Sequence, residues 1–315
     1  MIARSLRGTL VAAVVAAGLA TTAAPASAAL PVKYNVLSAG EAILRGPNTA
    51  PTGANDWSCK PTAAHPRPVV LVHATFVNMG LNWNALSPLL KNDGYCVFAF
   101  NYGMTALSVG GYVGGLGSVA KSAETMAAFV DRVRDRTGVD KVDVVGHSQG
   151  GMVIKYHNVA LGNGGKVANA VMLAPSMHGT TQNGLTTFGE QLRPFAGWLV
   201  NGIYVALGAV TPGLRDQAIT SPFAKALNAL PDTTSGTKLT VISTKYDTVV
   251  TPYATQEPKG PGTQWIVLQD QCALDKAGHV AVGFDSIALR NVANALDPAT
   301  AKPIVCKAID ANLGG

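Results

Sequence analysis

In the stretch Val142-Asp143-Val144-Val145-Gly146-His147-Ser148-Gln149-Gly150-Gly151, a serine follows an apolar β-branched run, with a glycine two residues to either side. A serine hydroxyl becomes an effective nucleophile when a base accepts its proton and an acid holds that base in the right tautomer. The Gly-x-Ser-x-Gly spacing suits acyl-transfer chemistry because the serine stands on a strained turn. Side chains two positions away would collide with the neighbouring strand and helix. Ser148 is therefore the candidate nucleophile.

Its partners follow from chain order, since a nucleophile on a strand-to-helix turn is followed by its acid and then by its histidine. Of His65, His73, His147, His157, His178 and His279, only His279 lies late enough, in the predicted loop Lys276-Ala277-Gly278-His279-Val280. Asp247 is the candidate acid, placed just past the predicted strand at 239–243, with Asp270 and Asp275 as rivals nearer His279 in sequence. A tetrahedral oxyanion needs preorganised donors. One is the N–H of Gln149, directly after the nucleophile. The other, by position, is the N–H of Thr75 after the first strand, whose hydroxyl can add a further bond. Gly115-Leu116-Gly117-Ser118-Val119-Ala120 formally matches Gly-x-Gly-x-x-Ala. It follows a loop rather than a strand and lacks an acid at the end of a second strand, so dinucleotide binding is set aside.

Strands are expected at 68–73, 96–100, 142–147, 168–174, 239–243 and 265–268. Helical spacing covers 81–90, 118–136, 149–161 and 284–296, with Thr137-Gly138 as a helix stop. Strands alternating with helical segments predict an α/β protein with a mostly parallel sheet covered on both faces. One domain, residues 29–315, is the expectation for this length. Residues 31–67 show no sustained period and read as an arm pinned by Cys59. Residues 176–235 break the alternation. Their apolar cluster around Trp198 predicts a helical cap, either a lid or acyl-binding wall or a small cap with its own core.

Residues 1–28 have a basic head at Arg4 and Arg7, an apolar run at 10–20 and the small-residue end Ala26-Ser27-Ala28, the pattern of a cleaved export leader. The run is too short to span a bilayer. Lys and Arg number 24 against 18 Asp and Glu, so losing Arg4 and Arg7 leaves 22 − 18, a net +4. There is no basic cluster or stripe, which argues against nucleic acid as a partner. Charged residues make up only 13% of the chain, well below the usual quarter, a surface that suits contact with lipid or polymer as well as a neutral exported enzyme. In an exported chain Cys59, Cys96, Cys272 and Cys306 read as two disulfides with three possible connectivities. Sequence proximity favours Cys59–Cys96 and Cys272–Cys306. No Cys/His spacing supports a metal site.

Taken together, several segments resemble the secreted actinobacterial class 2 lipases and esterases of the α/β-hydrolase superfamily, from about Pro51 to Cys306. They are Thr52-Gly53-Ala54-Asn55-Asp56-Trp57-Ser58-Cys59, Arg67-Pro68-Val69-Val70-Leu71-Val72-His73, Gly94-Tyr95-Cys96-Val97-Phe98, the Ser148 turn, Ala174-Pro175-Ser176, Tyr246-Asp247-Thr248-Val249-Val250-Thr251-Pro252-Tyr253 and Asn294-Ala295-Leu296-Asp297-Pro298. The resemblance implies an α/β-hydrolase fold and hydrolysis of carboxylic esters, including acylglycerols, without a cofactor. It puts Ser148, Asp247 and His279 on the family's triad positions and Thr75 and Gln149 on its oxyanion positions. This chain departs from the family by carrying Ala74 where glycine is usual and by lacking a cysteine pair in the insertion. An ester or lipid substrate, met in solution or at a lipid–water interface, and a monomeric state are the matching expectations.

Overall fold

The computed structural model describes residues 28–181 and 211–315. Residues 1–27 of the expected leader and 182–210 of the expected cap, with Trp198, lie outside the described residues. Six strands form one sheet: β1 (Val69–Val72), β2 (Val97–Phe100), β3 (Val142–His147), β4 (Val167–Leu173), β5 (Lys238–Ser243) and β6 (Thr263–Val267). Their order is β2-β1-β3-β4-β5-β6 and every neighbouring pair is parallel.

Parallel strands need crossovers, and the crossovers bury both faces. That is why β1, β2 and β3 are buried along their whole lengths. Alternate residues feed two cores. Val69, Leu71, Val145, Leu173 and Ile242 face one, and Val70, Val72, Val144, Met172 and Val241 face the other. The helices are α1 (Ala39–Arg45), α2 (Met79–Asn82), α3 (Leu86–Asn92), α4 (Val119–Thr137), α5 (Gln149–Lys155), α6 (Pro212–Gln217), α7 (Pro222–Asn228), α8 (Leu268–Gln271) and α9 (Ser286–Leu296). Leu86 and Leu90 of α3 and Ile287, Leu289 and Val292 of α9 close the first core; Ala123, Met126, Val130 and Val133 of α4 with Met152 and Ile154 of α5 close the second. This three-layer arrangement is the α/β-hydrolase fold. Among the described residues no helix is long and apolar enough to cross a membrane.

The stop expected at Gly138 is a left-handed cap, φ 75°, whose N–H returns to the Arg134 carbonyl. Three expectations need correction. The arm at 31–67 contains α1, two turns that bury Ala39 and Ala42 while Arg45 donates to Asn84. So short a helix, with Gly40 inside it, leaves no readable period. The helix expected over 81–90 is split into α2 and α3. The one expected over 149–161 leaves α-geometry at Lys155 for a π-turn, Tyr156–Ala160.

The cysteines are paired Cys59–Cys96 and Cys272–Cys306. The second bridge anchors the C-terminal tail, which runs beside the loop carrying His279: Lys276 N–H donates to the Ile309 carbonyl and Gly278 N–H to that of Ala311.

Candidate active site

β3 delivers Ser148 to the carboxyl edge of the sheet, where the backbone takes φ 55° and ψ −119°, a left-handed value costly to any residue but glycine. The flanking glycines make the turn possible. A Cβ on Gly150 would lie 2.2 Å from the Val72 carbonyl oxygen of β1, and one on Gly146 would lie 2.6 Å from Ile154 and 2.8 Å from the Gly150 backbone. With both absent, α5 turns back directly against the sheet. Ser148 N–H donates to the Leu173 carbonyl at 2.9 Å, and its own carbonyl accepts from Gly151 at 3.0 Å and Ser176 at 3.1 Å.

The structure brings Ser148, Asp247 and His279 together. Ser148 Oγ lies 2.9 Å from His279 Nε2, and Asp247 Oδ2 lies 2.9 Å from His279 Nδ1. A carboxylate beside Nδ1 calls for a proton there, which leaves the Nε2 lone pair for the serine hydroxyl. Asp247 sits in the turn after β5. Its Oδ1 accepts from Val249 and Val250 N–H, both at 2.8 Å, and its Oδ2 also accepts from Gln256 Nε2 at 2.8 Å. The rival acids are engaged elsewhere: Asp270 pairs with Lys245, and Asp275 accepts from Ala277 N–H and shares a buried contact with Asp285.

The other histidines have structural partners. His65 stacks on Tyr95, His157 bonds Asn158 and His178 bonds Asp232. His147 Nε2–H donates to the His279 carbonyl at 2.9 Å; burial, followed by the proximity of His279, pushes its pKa down to about 3. Burial likewise pushes His73 down to about 4. Neutral His73 donates from Nδ1 to the Ala74 carbonyl at 2.7 Å and accepts the Tyr102 N–H at Nε2, 3.2 Å, which fixes the loop leading to Thr75. Ala74 has no left-handed φ, so its backbone here does not demand glycine.

Thr75 follows β1 at the edge next to β3, and the sheet register pairs Val72 with Gly146. Ala74 N–H donates to Asn82 Oδ1 and Phe76 N–H to the Gly114 carbonyl, while the N–H of Thr75 meets no acceptor among the described residues. Gln149 is the first residue of α5, and its N–H has no intrahelical acceptor. Both expected oxyanion donors are thus unspent within the described protein. The Gly115 motif serves this region by backbone packing. A Cβ on Gly115 would lie 2.6 Å from Gln149 Oε1 and 2.9 Å from Thr75 Cα, and one on Gly213 would lie 2.2 Å from the Gly115 carbonyl oxygen.

Sequence reasoning missed Gln256, which holds Asp247, and also Ser176, Gly213 and Gln217, which surround Thr75 and Gln149. No motif marks them. Ser176 lay inside the quoted Ala174-Pro175-Ser176, and Gly213 and Gln217 lay only within the broad span 176–235 expected as a cap.

Among solved structures, lipase B of Aspergillus fumigatus superposes with a TM-score of 0.59 at 19% identity, covering 83% of this chain and 58% of that one. The chain therefore spans little more than half the length of that lipase. A candidate hydrolase of Bacillus subtilis superposes with a TM-score of 0.50 at 14% identity, covering 82% of this chain and 95% of the other. At these identities the likeness is one of fold. The sequence itself matches the family model for class 2 lipases over residues 66–289, and the chain belongs to that family.

Proposed function

We propose that this chain is an exported serine hydrolase that cleaves carboxylic esters, and more narrowly a triacylglycerol lipase, with residues 1–28 as its leader. One observation carries the reading: Ser148 Oγ and Asp247 Oδ2 each lie 2.9 Å from one of the two nitrogens of a single buried imidazole. Membership of the lipase family supports the ester substrate. Two disulfides support passage through an oxidising compartment.

In this mechanism Ser148 Oγ attacks the ester carbonyl as its proton passes to His279 Nε2. Asp247 holds Nδ1–H and stabilises the imidazolium. The oxyanion is met by the N–H groups of Thr75 and Gln149. Collapse of the tetrahedral species expels the alcohol, which takes the proton back from His279. Water then repeats the sequence on the acyl-enzyme.

The experiment is the hydrolysis rate on acyl esters from short and soluble to long and emulsified, with Ser148→Ala as blank. Rates that rise at the emulsified long-chain end are expected. Activity confined to short soluble esters would make the chain an esterase, and preference for polymer film a polyester hydrolase. No rate above the blank would overturn the enzymatic reading in favour of a binding protein that kept the fold.

A further inference from the structure

Thr75 is buried, and its Oγ1 lies 3.1 Å from Gln217 Nε2. The orientation of that amide is settled by its surroundings. The Gly213 carbonyl, 3.0 Å from Nε2, can only accept, so this end is the NH2. Ser176 Oγ donates to the other end, Gln217 Oε1, at 2.9 Å. An amide NH2 only donates, so Thr75 Oγ1 is the acceptor in its bond to Gln217. The threonine's own hydrogen must then point elsewhere, and among the described residues no acceptor takes it.

The same few groups also tie the site together. The Gly213 carbonyl accepts from the Gln149 side chain at 3.1 Å, and Ser176 N–H holds the Ser148 carbonyl at 3.1 Å. Gln217 ends α6, and its own carbonyl accepts from Thr180 N–H at 2.8 Å, which ties α6 to the segment after Ser176.

We infer that Gln217 is a positioning residue for the oxyanion: by donating to Thr75 Oγ1 it commits the Thr75 hydroxyl hydrogen to the substrate oxygen, beside the N–H groups of Thr75 and Gln149. This role rests on the esterase reading above. It concerns direction rather than presence. Without Gln217 the hydroxyl remains but its hydrogen is free to turn, and with a carboxylate in its place the hydrogen is drawn away.

The test is a double-mutant cycle on p-nitrophenyl butyrate with Thr75→Val, Gln217→Met and the pair, reading kcat and KM separately, with thermal melts to confirm folding. Thr75→Val is expected to lower kcat about 100-fold, in the range for loss of one oxyanion donor, and Gln217→Met about 10-fold, with KM changed less than about twofold. The pair should be no worse than Thr75→Val alone, because Gln217 has nothing to orient once the hydroxyl is gone. Gln217→Glu, which keeps the shape but accepts at pH 8, should cost more than Gln217→Met. Equal loss from Gln217→Met in both Thr75 backgrounds would overturn the role and make Gln217 a packing residue, as would a folded Gln217→Glu milder than Gln217→Met. A wild-type rate no higher than that of Ser148→Ala would instead overturn the proposed function itself, and this role with it.

Discussion

The Ser148 turn and the His279 loop bring Oγ and Nε2 within 2.9 Å of each other, yet they are held by different means. Ser148 is placed by one short stretch, a buried strand, two glycines and a helix that starts at the next residue, packed directly against β1 and β4 of the same sheet. His279 is placed by distant parts of the chain. Its carbonyl accepts from His147, Ala277 is held by the Thr244 hydroxyl, and Gly278 N–H reaches Ala311 in a tail anchored by Cys272–Cys306. A locally dictated geometry is rigid and fails all at once. One assembled from remote contacts can loosen by degrees.

Two matched methyl groups should expose the difference. Gly150→Ala puts a Cβ 2.2 Å from the Val72 carbonyl, deep in the sheet, whereas Gly278→Ala puts one 2.9 Å from the Ala311 carbonyl in the tail. Gly150→Ala is expected to destabilise by about 3 kcal/mol or more and to abolish turnover; Gly278→Ala should cost about 1 kcal/mol and leave measurable activity. Denaturant melts and ester hydrolysis on both variants read this out. A tolerated Gly150→Ala would break the contrast.

The disulfides sharpen it next. They bridge residues 37 and 34 apart, so on chain entropy each stabilises by about 3–4 kcal/mol. Replacing Cys59 and Cys96 by serine should lower Tm yet leave kcat of the folded protein unchanged. The same change at Cys272 and Cys306 should lower Tm similarly and also reduce kcat well below Tm, because the tail frees the His279 loop. Equal kcat in the two variants would contradict that.

The two sides should also part company with pH. On the Thr75 side, burial depresses His73 to about 4, so the stability it contributes is complete above its unfolded value near 6.5 and is lost as pH falls towards 4. On the His279 side, burial and then Asp275 raise Asp285 to about 8. Its contribution is complete below the unfolded value near 3.9 and is lost as pH rises towards 8. Asp285→Asn removes the second loss and should raise Tm at pH 8 by about 2 °C, the shift for about 1 kcal/mol in a chain of this size, with no gain at pH 4. A gain at pH 4 equal to that at pH 8 would contradict the assignment.

These contrasts also explain what could be read from the sequence. The sheet was readable because β-branched runs alternate with helical spacing, and the Ser148 turn because its two glycines stand at a fixed spacing around the serine, directly after such a run. His279 and Asp247 were singled out by chain order and by their place past a strand, not by any feature of their surroundings. Gln256 and Gln217 were not found at all: each acts through a side-chain amide on a residue placed by a separate segment, and a lone glutamine in a loop or short helix carries no pattern. α1 escaped for a related reason, since two turns held by Arg45 and Asn84 across 39 residues depend on tertiary contact.

A modest effect on turnover belongs to Gln256. It is one of several donors to Asp247, and Val249 and Val250 N–H remain without it. Gln256→Leu is expected to lower kcat about 10-fold, far less than the roughly 10⁴-fold loss that Asp→Asn brings in other triads. Steady-state kinetics on the two variants side by side would check the ranking.

Reaction of the folded chain with a fluorophosphonate, mapped by peptide mass, asks whether Ser148 is an activated nucleophile independently of any choice of ester. One adduct per chain on Ser148, formed rapidly in the wild type and at least about 10³-fold more slowly in His279→Ala, is expected. No adduct on folded wild-type protein, or a Ser148 adduct formed equally fast without His279, would contradict it.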